Sequence, residues 1–240
     1  PEIRTEFGLH GYERVTEHFS ADRMVTDTIR LYEGLYKTNS SKKHTIKRES
    51  APANEKIKVL RIISRMNIGG PSIHVKNLTE GLPQSKYQTK LITGSVSPSE
   101  GDMSYIAKLG NKVRINIPEL QREINPFKDL LTLFKVVKFI HKFKPDIVDS
   151  HTSKAGAVSR LAVFFYNLFS GSNIIIVHTF HGHVLDGYFS TFKAKTFQFF
   201  ERVLAKMTNR IIAISESQKW ELTTTYKIDN PDKIDTIKLG

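Results

Sequence analysis

The chain has 240 residues, enough for one full domain with appended segments, and a formal net charge of +12. It contains no cysteine, which excludes disulfide bonds and thiolate metal sites and is compatible with a reducing cytoplasm. All apolar runs are shorter than the ~18 to 20 residues of a membrane span, and no signal peptide opens the chain. We therefore expect a cytoplasmic protein that is soluble or peripheral at the inner face of the cell membrane.

The positive charge is unevenly distributed. Residues 57–240 carry 26 basic and 15 acidic side chains, whereas residues 1–56 carry 10 and 9. Such a field favours anionic partners such as nucleotide phosphates or acidic lipid head groups. The interleaved aromatic and basic pattern of nucleic-acid modules does not occur, so we expect no nucleic-acid partner.

Residues 1–36 predict two helices. Ser20 is a good N-cap for the second, and an apolar stripe follows at helical spacing: Met24, Thr28, Leu31 and Leu35. The stripe needs a packing partner, so we expect residues 20–36 to dock on the domain that follows. Residues 37–56 are polar and charged, which is typical of a flexible linker.

Strand and helix patterns alternate over residues 57–240. Strands are predicted near 58–64, 89–93, 113–117, 146–149, 174–179, 210–214 and 233–239. Helices are predicted near 72–82, 127–143, 156–169, 191–207 and 216–226. This alternation predicts an α/β fold with a doubly wound, mainly parallel, Rossmann-like sheet.

The run NIIIVHTFHGHVLDGY, residues 173–188, joins a buried strand to a group of histidines. Because ligands bind beyond the carboxyl ends of parallel strands, we expect four residues at the mouth of a site. These are His178, His181, Gly182 and His183. A turn in which the histidines merely bond backbone groups is the structural alternative.

A zinc site on His178, His181 and His183 is the sharper alternative, and it would indicate a metal-dependent hydrolase. The run does not fit the HExxH pattern, and the metal would need carboxylates from elsewhere. We therefore predict no metal site.

Two further strand-to-helix loops fall at the same sheet edge. Gly69 and Gly70 allow a ligand to approach the backbone, and the helix after them offers free N–H groups. Thr152 and Lys154 follow another strand, where a lysine can bind phosphate as a point charge. Taken alone, a glycine pair at a turn is more often structural, and the lysine could equally be a solvent-exposed residue.

Residues 125–144, NPFKDLLTLFKVVKFIHKFK, form a basic amphipathic helix. We interpret its apolar side chains as facing the sheet and its lysines as facing water. Contact with an anionic membrane is compatible with this arrangement.

Six ordered segments together resemble the amino-terminal half of bacterial family 4 glycosyltransferases of the two-domain GT-B type. They are RIISRMNIGGPSIHVKNLTEGL, VSPSEGDM, IPELQREINP, PDIVDSHTSKAG, VHTFHGHVLDGYFS and RIIAISESQKWEL. Residues 1–36 resemble the closing helices at the carboxyl end of the same family. The order is inverted relative to a single enzyme, which fits a tandem junction, a fragment or a rearranged protein.

The resemblance implies a retaining transfer of sugar from a nucleotide-diphosphate donor to a glycan or lipid-linked acceptor of a bacterial surface polysaccharide, such as capsule, lipopolysaccharide or exopolysaccharide. His181 would contact the transferred sugar as the catalytic residue. The remaining predicted substrate-binding residues are Gly69, Gly70, Thr152, Lys154, Gly182 and His183. Apart from the donor, no cofactor is implied.

The family binds its donor mainly through a second Rossmann-like domain with two glutamates separated by seven residues, a spacing that this sequence does not contain. We therefore expect residues 57–240 to be the acceptor-side domain and the chain by itself to be incomplete and inactive. A non-catalytic docking module without the donor half is the competing interpretation.

Overall fold

The computed structural model describes residues 2–43, 55–97, 99–106, 113–182 and 191–240. Seven strands in this part of the chain form one sheet: β1 (Ile57–Ile63), β2 (Tyr87–Thr93), β3 (Arg114–Asn116), β4 (Ile147–His151), β5 (Ile175–Phe180), β6 (Arg210–Ala213) and β7 (Ile234–Thr236). Every neighbouring pair is parallel, in the order β3-β2-β1-β4-β5-β6-β7. The predicted doubly wound α/β fold is confirmed.

Helices flank this sheet. They are α1 (Glu2–His18), α2 (Ala21–Lys43), α3 (Gly70–Gly81), α4 (Pro126–Phe143), α5 (Ser153–Ser170), α6 (Thr191–Lys206) and α7 (Glu216–Trp220). Ser20 caps α2 as predicted, because its hydroxyl accepts from the Arg23 N–H at 3.2 Å. Asn125 caps α4 through the Lys128 N–H at 3.1 Å, and Asp129 accepts from the Asn125 N–H in return. This reciprocal capping box fixes where α4 begins.

The two faces of the sheet are covered by different helices. Successive side chains of a strand point to opposite faces. In β4 and β5, Val148 and Ile176 join a core with α4 and α5. Ile147, Ile175 and Val177 join a second core with α2 and α3. This alternation decides to which face each polar residue at the strand ends points.

Helix α2 packs on the second face, as its apolar stripe predicts. Met24 and Tyr32 are fully buried there, whereas Leu31 and Leu35 pack at the edge and are only partly buried. The Tyr32 hydroxyl donates to the buried carboxylate of Asp149 in β4, 117 positions away in sequence. At the start of α2 the backbone of Gly240 comes so close that a Cβ there would lie 2.3 Å from the Ala21 nitrogen.

The predicted linker over 37–56 has a different boundary in the structure. Helix α2 continues through its polar residues to Lys43, and residues 44–54 lie outside the described part of the chain. Asn39 explains part of this extension, because its side-chain amide donates to the Asn173 carbonyl at 2.7 Å. A tertiary contact thus holds a segment whose composition alone predicts a flexible chain.

Helix α4 buries less of its apolar surface than predicted. Val136 and Ile140 enter the core, but several residues expected to face the sheet are exposed: Phe127, Leu130, Leu131 and Phe134. Only one stripe of α4 reaches the sheet, so its first turns face away. In the part of the chain that the structure describes, no helix has both the length and the apolar character needed to cross a membrane.

Candidate functional site

The strand order reverses between β1 and β4, and doubly wound sheets bind ligands at such a switch point. His151, the last residue of β4, pairs with Ile63, the last residue of β1. On its other side His151 pairs with Thr179 of β5, two residues before His181. Strands β4 and β5 therefore deliver two histidines to the same edge of the sheet.

A third histidine reaches this edge from α3. The ring centroid of His74 lies 4.9 Å from that of His181 and 5.4 Å from that of His151. Nδ1 of His151 lies 3.0 Å from Nε2 of His181. We call His74, His151 and His181 the histidine cluster. His74 and His151 are buried, and His181 is half-buried at the open side.

A buried carboxylate orients one member of the histidine cluster. Asp149 Oδ2 lies 3.0 Å from His151 Nε2, and it accepts from Arg61 Nε at 3.1 Å and from the Tyr32 hydroxyl at 2.6 Å. Burial alone would raise the pKa of Asp149, but His151 and Arg61 outweigh it and hold this pKa well below its usual range. Because Nε2 of His151 faces this carboxylate, Nδ1 of the same ring faces the histidine cluster.

The pKa values of His74 and His181, the other two members of the histidine cluster, are lowered. Burial and the neighbouring His151 lower the pKa of His74 to about 3. Burial, His151 and His74 also hold the pKa of His181 well below its usual value. Among the described residues, neither ring nitrogen of His74 has a hydrogen-bond partner, nor does Nδ1 of His181. The rings of His74 and His181 thus lie next to each other, and each has a nitrogen without a partner in the described part of the chain.

Gly69 and Gly70 lie at the start of α3, one turn before His74. Gly69 has φ +156° and occupies the N-cap position, where no side chain caps the helix. A Cβ added at Gly70 would meet no atom within 4 Å. The amino terminus of α3 is therefore open to a ligand, on the same helix that carries His74.

Thr152 and Lys154 are both engaged by other parts of the protein. The hydroxyl of Thr152 lies 2.7 Å from that of Ser64 and joins the ends of β4 and β1. The Lys154 amine contacts Asp129 at 2.6 Å and donates to the Glu123 carbonyl. These contacts give each residue a structural role. None of them involves a member of the histidine cluster.

Gly182 directly follows His181, with φ +146°, a conformation that side chains disfavour. It lets the chain turn at the end of β5. His183, which we predict as a substrate-binding residue, lies outside the described residues.

His178 is not at the mouth of the site. Strand β5 extends to Phe180, so His178 lies inside the strand and points to the α5 face. Its Nδ1 lies 3.0 Å from the Ser150 hydroxyl, and its ring packs edge-on against Phe180. Because His181 faces the other side, the alternative metal group of His178, His181 and His183 does not form with His178.

Two members of the histidine cluster, His74 and His151, are not among the residues predicted from the sequence. The signal for His151 is the DSH run at the end of a buried strand, because alternation gives Asp149 and His151 the same face. His74 follows Gly70 by one helical turn, so a ligand at the α3 terminus would lie near it.

The family model for glycosyltransferase family 4 matches residues 68–240. The chain belongs to glycosyltransferase family 4. The match covers the histidine cluster, the α3 amino terminus and the sheet from β2 to β7. The sequence resemblance to this family is therefore confirmed.

Two curated glycosyltransferases are similar to this family 4 chain. The capsular polysaccharide biosynthesis glycosyltransferase CapM of Staphylococcus aureus is 28% identical over 170 residues, which are 70% of this chain and 43% of the relative. A UDP-Gal:alpha-D-GlcNAc-diphosphoundecaprenol alpha-1,3-galactosyltransferase of Escherichia coli is 30% identical over 124 residues, 52% of this chain and 30% of the relative. The chain spans less than half the length of these relatives.

Solved structures have the same fold as this family 4 chain. A glycosyltransferase from Rickettsia africae is similar with a TM-score of 0.55 and 22% identity, over 78% of this chain and 44% of that one. Sucrose-phosphate synthase from Thermosynechococcus elongatus is similar with a TM-score of 0.53 and 17% identity, over 77% and 48%. At these identities the similarity concerns the fold alone.

Proposed function

We propose that the chain is the acceptor-side domain of a retaining glycosyltransferase. It would act in bacterial surface-glycan synthesis, transferring sugar from a nucleotide-diphosphate donor to a glycan or lipid-linked acceptor. The observation that carries the proposal is the histidine cluster at the switch point, beside the uncapped amino terminus of α3. The names of the curated relatives support the acceptor class, because one is a capsular polysaccharide enzyme and the other is a galactosyltransferase named for GlcNAc-diphosphoundecaprenol.

Sugar transfer from such a donor develops negative charge on the leaving diphosphate. Fixed N–H donors and a helix amino terminus stabilise this charge without reorganisation. Gly69 and Gly70 supply that terminus, and neither carries a side chain that would block the approach. We therefore assign them to the donor diphosphate or to an acceptor phosphate.

His181 is the candidate catalytic residue because it is the half-buried member of the histidine cluster. Its Nε2 faces His151, whose ring is held by Asp149. A neutral imidazole in a fixed orientation can hydrogen-bond a sugar hydroxyl in either direction, through N–H or through a lone pair. His151 and Asp149 would act as positioning residues, since His151 touches His181 and Asp149 in turn holds His151.

An exposed apolar face supports a lipid-linked acceptor at a membrane. Helices α4 and α5 pack side by side and expose large side chains, among them Phe127 at 87%, Phe134 at 64% and Phe169 at 82%. Helix α4 also carries exposed lysines, such as Lys138 and Lys142. Apolar insertion combined with basic charge is how peripheral helices bind anionic bilayers. We propose that this face contacts the inner leaflet.

A chimera tests the catalytic proposal. The 240-residue chain would be followed by the carboxyl-terminal half of the S. aureus relative, and a panel of nucleotide sugars would be offered with lipid-linked acceptors. We expect transfer by the chimera and little or none by the chain alone, because the family binds its donor mainly through that half. Robust turnover by the chain alone would sink the acceptor-side assignment. Acceptor binding without any transfer by the chimera would favour a non-catalytic docking module.

Vesicle sedimentation tests the membrane proposal separately. The chain should sediment with vesicles that contain phosphatidylglycerol and much less with pure phosphatidylcholine. The double variant Phe127→Ser with Phe134→Ser should remain in the supernatant. Phe7→Ser is the matched control, because Phe7 is 75% exposed on α1, outside this face. Equal sedimentation of all variants would remove the α4–α5 face from the proposal.

A further inference from the structure

We propose that the histidine cluster binds one divalent first-row transition-metal ion of the zinc class. The three ligand nitrogens, one each from His74, His151 and His181, lie within 4.8 Å of one another. Their elements are α3, β4 and the end of β5, so the sheet and its crossover helix bring them together. The proposal concerns binding of the ion and does not depend on sugar transfer.

Within the described part of the chain, three ring nitrogens of the histidine cluster have no partner. His74 is 2% exposed, and neither of its ring nitrogens has a partner among the described residues. Buried polar atoms are almost always hydrogen-bonded, so an unpaired buried imidazole requires an explanation. A metal ion between the three rings would give His74 a partner and would replace the contact between His151 Nδ1 and His181 Nε2.

Asp149 gives the histidine cluster the outer shell that metal sites use. A metal-bound histidine ordinarily donates its other N–H to a carboxylate, which fixes the tautomer and the orientation of the ring. His151 Nε2 lies 3.0 Å from Asp149 Oδ2, which leaves Nδ1 for the metal. Arg61 and Tyr32 hold the carboxylate in place from β1 and α2.

The chemistry of the donors selects the ion. Imidazole nitrogens favour zinc, copper, nickel and cobalt, whereas magnesium and calcium require oxygen ligands. Tetrahedral coordination with metal–nitrogen bonds of about 2.0 to 2.1 Å sets neighbouring nitrogens roughly 3.4 Å apart. His151 and His181 already satisfy this approach, at 3.0 Å, and His74 has to move closer. Three protein ligands leave a fourth position for water or a substrate oxygen.

This site differs from the metal group weighed in the sequence, which contained His178 and His183. Only His181 is common to both. His178 is excluded because it faces α5 and contacts Ser150. A metal in the group weighed in the sequence would need a carboxylate from elsewhere. Asp149 is such a carboxylate, but it contacts His151 and is not itself a ligand.

Metal titration tests the proposal. The intact chain would be stripped with EDTA and titrated with Zn²⁺ by calorimetry and with Co²⁺ by visible absorption. We expect one ion per chain, tetrahedral cobalt bands and a Zn²⁺-dependent rise in melting temperature. His74→Gln and His181→Gln should each weaken Zn²⁺ affinity by more than about 100-fold, since even outer-shell changes cost about 10- to 100-fold.

His141→Gln is the matched control, because His141 is an exposed histidine on α4, outside the cluster. Its Zn²⁺ affinity should equal that of the wild type. Near-ultraviolet circular dichroism checks that each variant is folded, and the half-buried His181 provides a test even if His74→Gln does not fold. Equal affinity in the wild type and His181→Gln, or binding that does not saturate at one ion, would overturn the proposal.

Discussion

His178 and His181 are three residues apart, yet they lie in opposite environments. His178 is enclosed on the α5 face, next to the Ser150 hydroxyl, and a Cβ at Gly156 would lie 2.4 Å from its ring. His181 lies on the α3 face at the open edge, and its Nδ1 has no partner among the described residues. The environment of His178 pairs its Nδ1 within the protein, whereas that of His181 leaves Nδ1 available for a ligand. Alternation along β5, and not residue type, separates a structural histidine from a candidate functional one.

The charged groups behind these two histidines differ in the same way. On the α5 face Arg160 donates to Glu201 at 2.9 Å, and this pair ends within the core. On the α3 face the Asp149 carboxylate links Tyr32 and Arg61 to the histidine cluster. Both pairs are buried, but only the second one leads to the sheet edge.

The largest expected effect is on stability at the His178 side. Arg160→Ala leaves the buried Glu201 carboxylate without its cation, which should lower the free energy of unfolding by about 3 to 5 kcal/mol. Arg30→Ala is the control, because Arg30 is 75% exposed in its pair with Asp27, and exposed pairs contribute about 0 to 1 kcal/mol. Urea unfolding followed by circular dichroism measures both. Similar losses for the two variants would erase the distinction between a buried and an exposed pair.

His181→Ala should affect activity and not the fold. In the chimera described above, we expect transfer to fall about 100-fold, as for removal of one preorganised donor. With EDTA present to remove any bound metal, the melting temperature should change little, because His181 is only half-buried. His141→Ala provides the control for loss of an exposed imidazole. A variant with full activity would remove His181 from the site.

Tyr32→Phe should weaken the attachment of α2. It removes the hydroxyl that donates to Asp149 at 2.6 Å, and hydrogen bonds to charged groups contribute about 1.5 to 3 kcal/mol. Hydrogen exchange should become faster in α2 than in β4. Tyr12→Phe is the control, because Tyr12 is 70% exposed and should change stability by no more than about 0.5 kcal/mol. If exchange in α2 is unchanged, the hydroxyl does not hold this helix.

A final effect concerns pH, and per pH unit it is the smallest of the four. The pKa of His74 is lowered to about 3, so the folded state keeps it neutral while the unfolded chain takes up a proton near pH 6.5. The stability that comes from keeping His74 neutral is therefore fully present above pH 6.5. As the pH falls from 6.5 towards 3, the free energy of unfolding decreases by about 1.4 kcal/mol per pH unit. His74→Gln should flatten the stability profile between pH 6.5 and 4.5 by that slope, in unfolding measured with EDTA present.

Asp149 does not interfere with this measurement. Its lowered pKa contributes stability above the ordinary aspartate value, near 3.9, and that contribution is lost only at lower pH. An unchanged slope in His74→Gln would mean that His74 is protonated in the folded protein.

Much of the fold is predictable because seven apolar, β-branched runs alternate with helical patterns. All seven strands form near their predicted positions. The site was only partly predictable. His181 and the α3 glycines follow directly from the strand-to-helix pattern, whereas His74 comes from one turn into a helix. The link from Tyr32 to Asp149 joins residues 117 positions apart, and nothing local in the sequence indicates it.

Helix α4 shows the opposite limit of prediction. Its periodic pattern indicates an amphipathic helix, but periodicity does not say how wide a stripe the sheet covers. The contact with α5 and the sheet buries Val136 and Ile140, and it leaves Phe127 and Phe134 outside. The extent of burial depends on how neighbouring elements pack, which is information that no single helix contains.

The close approach of Gly240 to the start of α2 makes the order of these elements interchangeable. Gly240 touches the beginning of α2, so a permuted chain could carry α2 after Gly240 through a connection of only a few residues. The entropic cost of closing a loop rises only slowly with its length. A direct connection at this point would have a lower cost than the present segment between Lys43 and Lys56. Either arrangement would place Tyr32 against Asp149. The resemblance of residues 1–36 to the closing helices of the family therefore conflicts with the sequence order but not with the geometry of the fold.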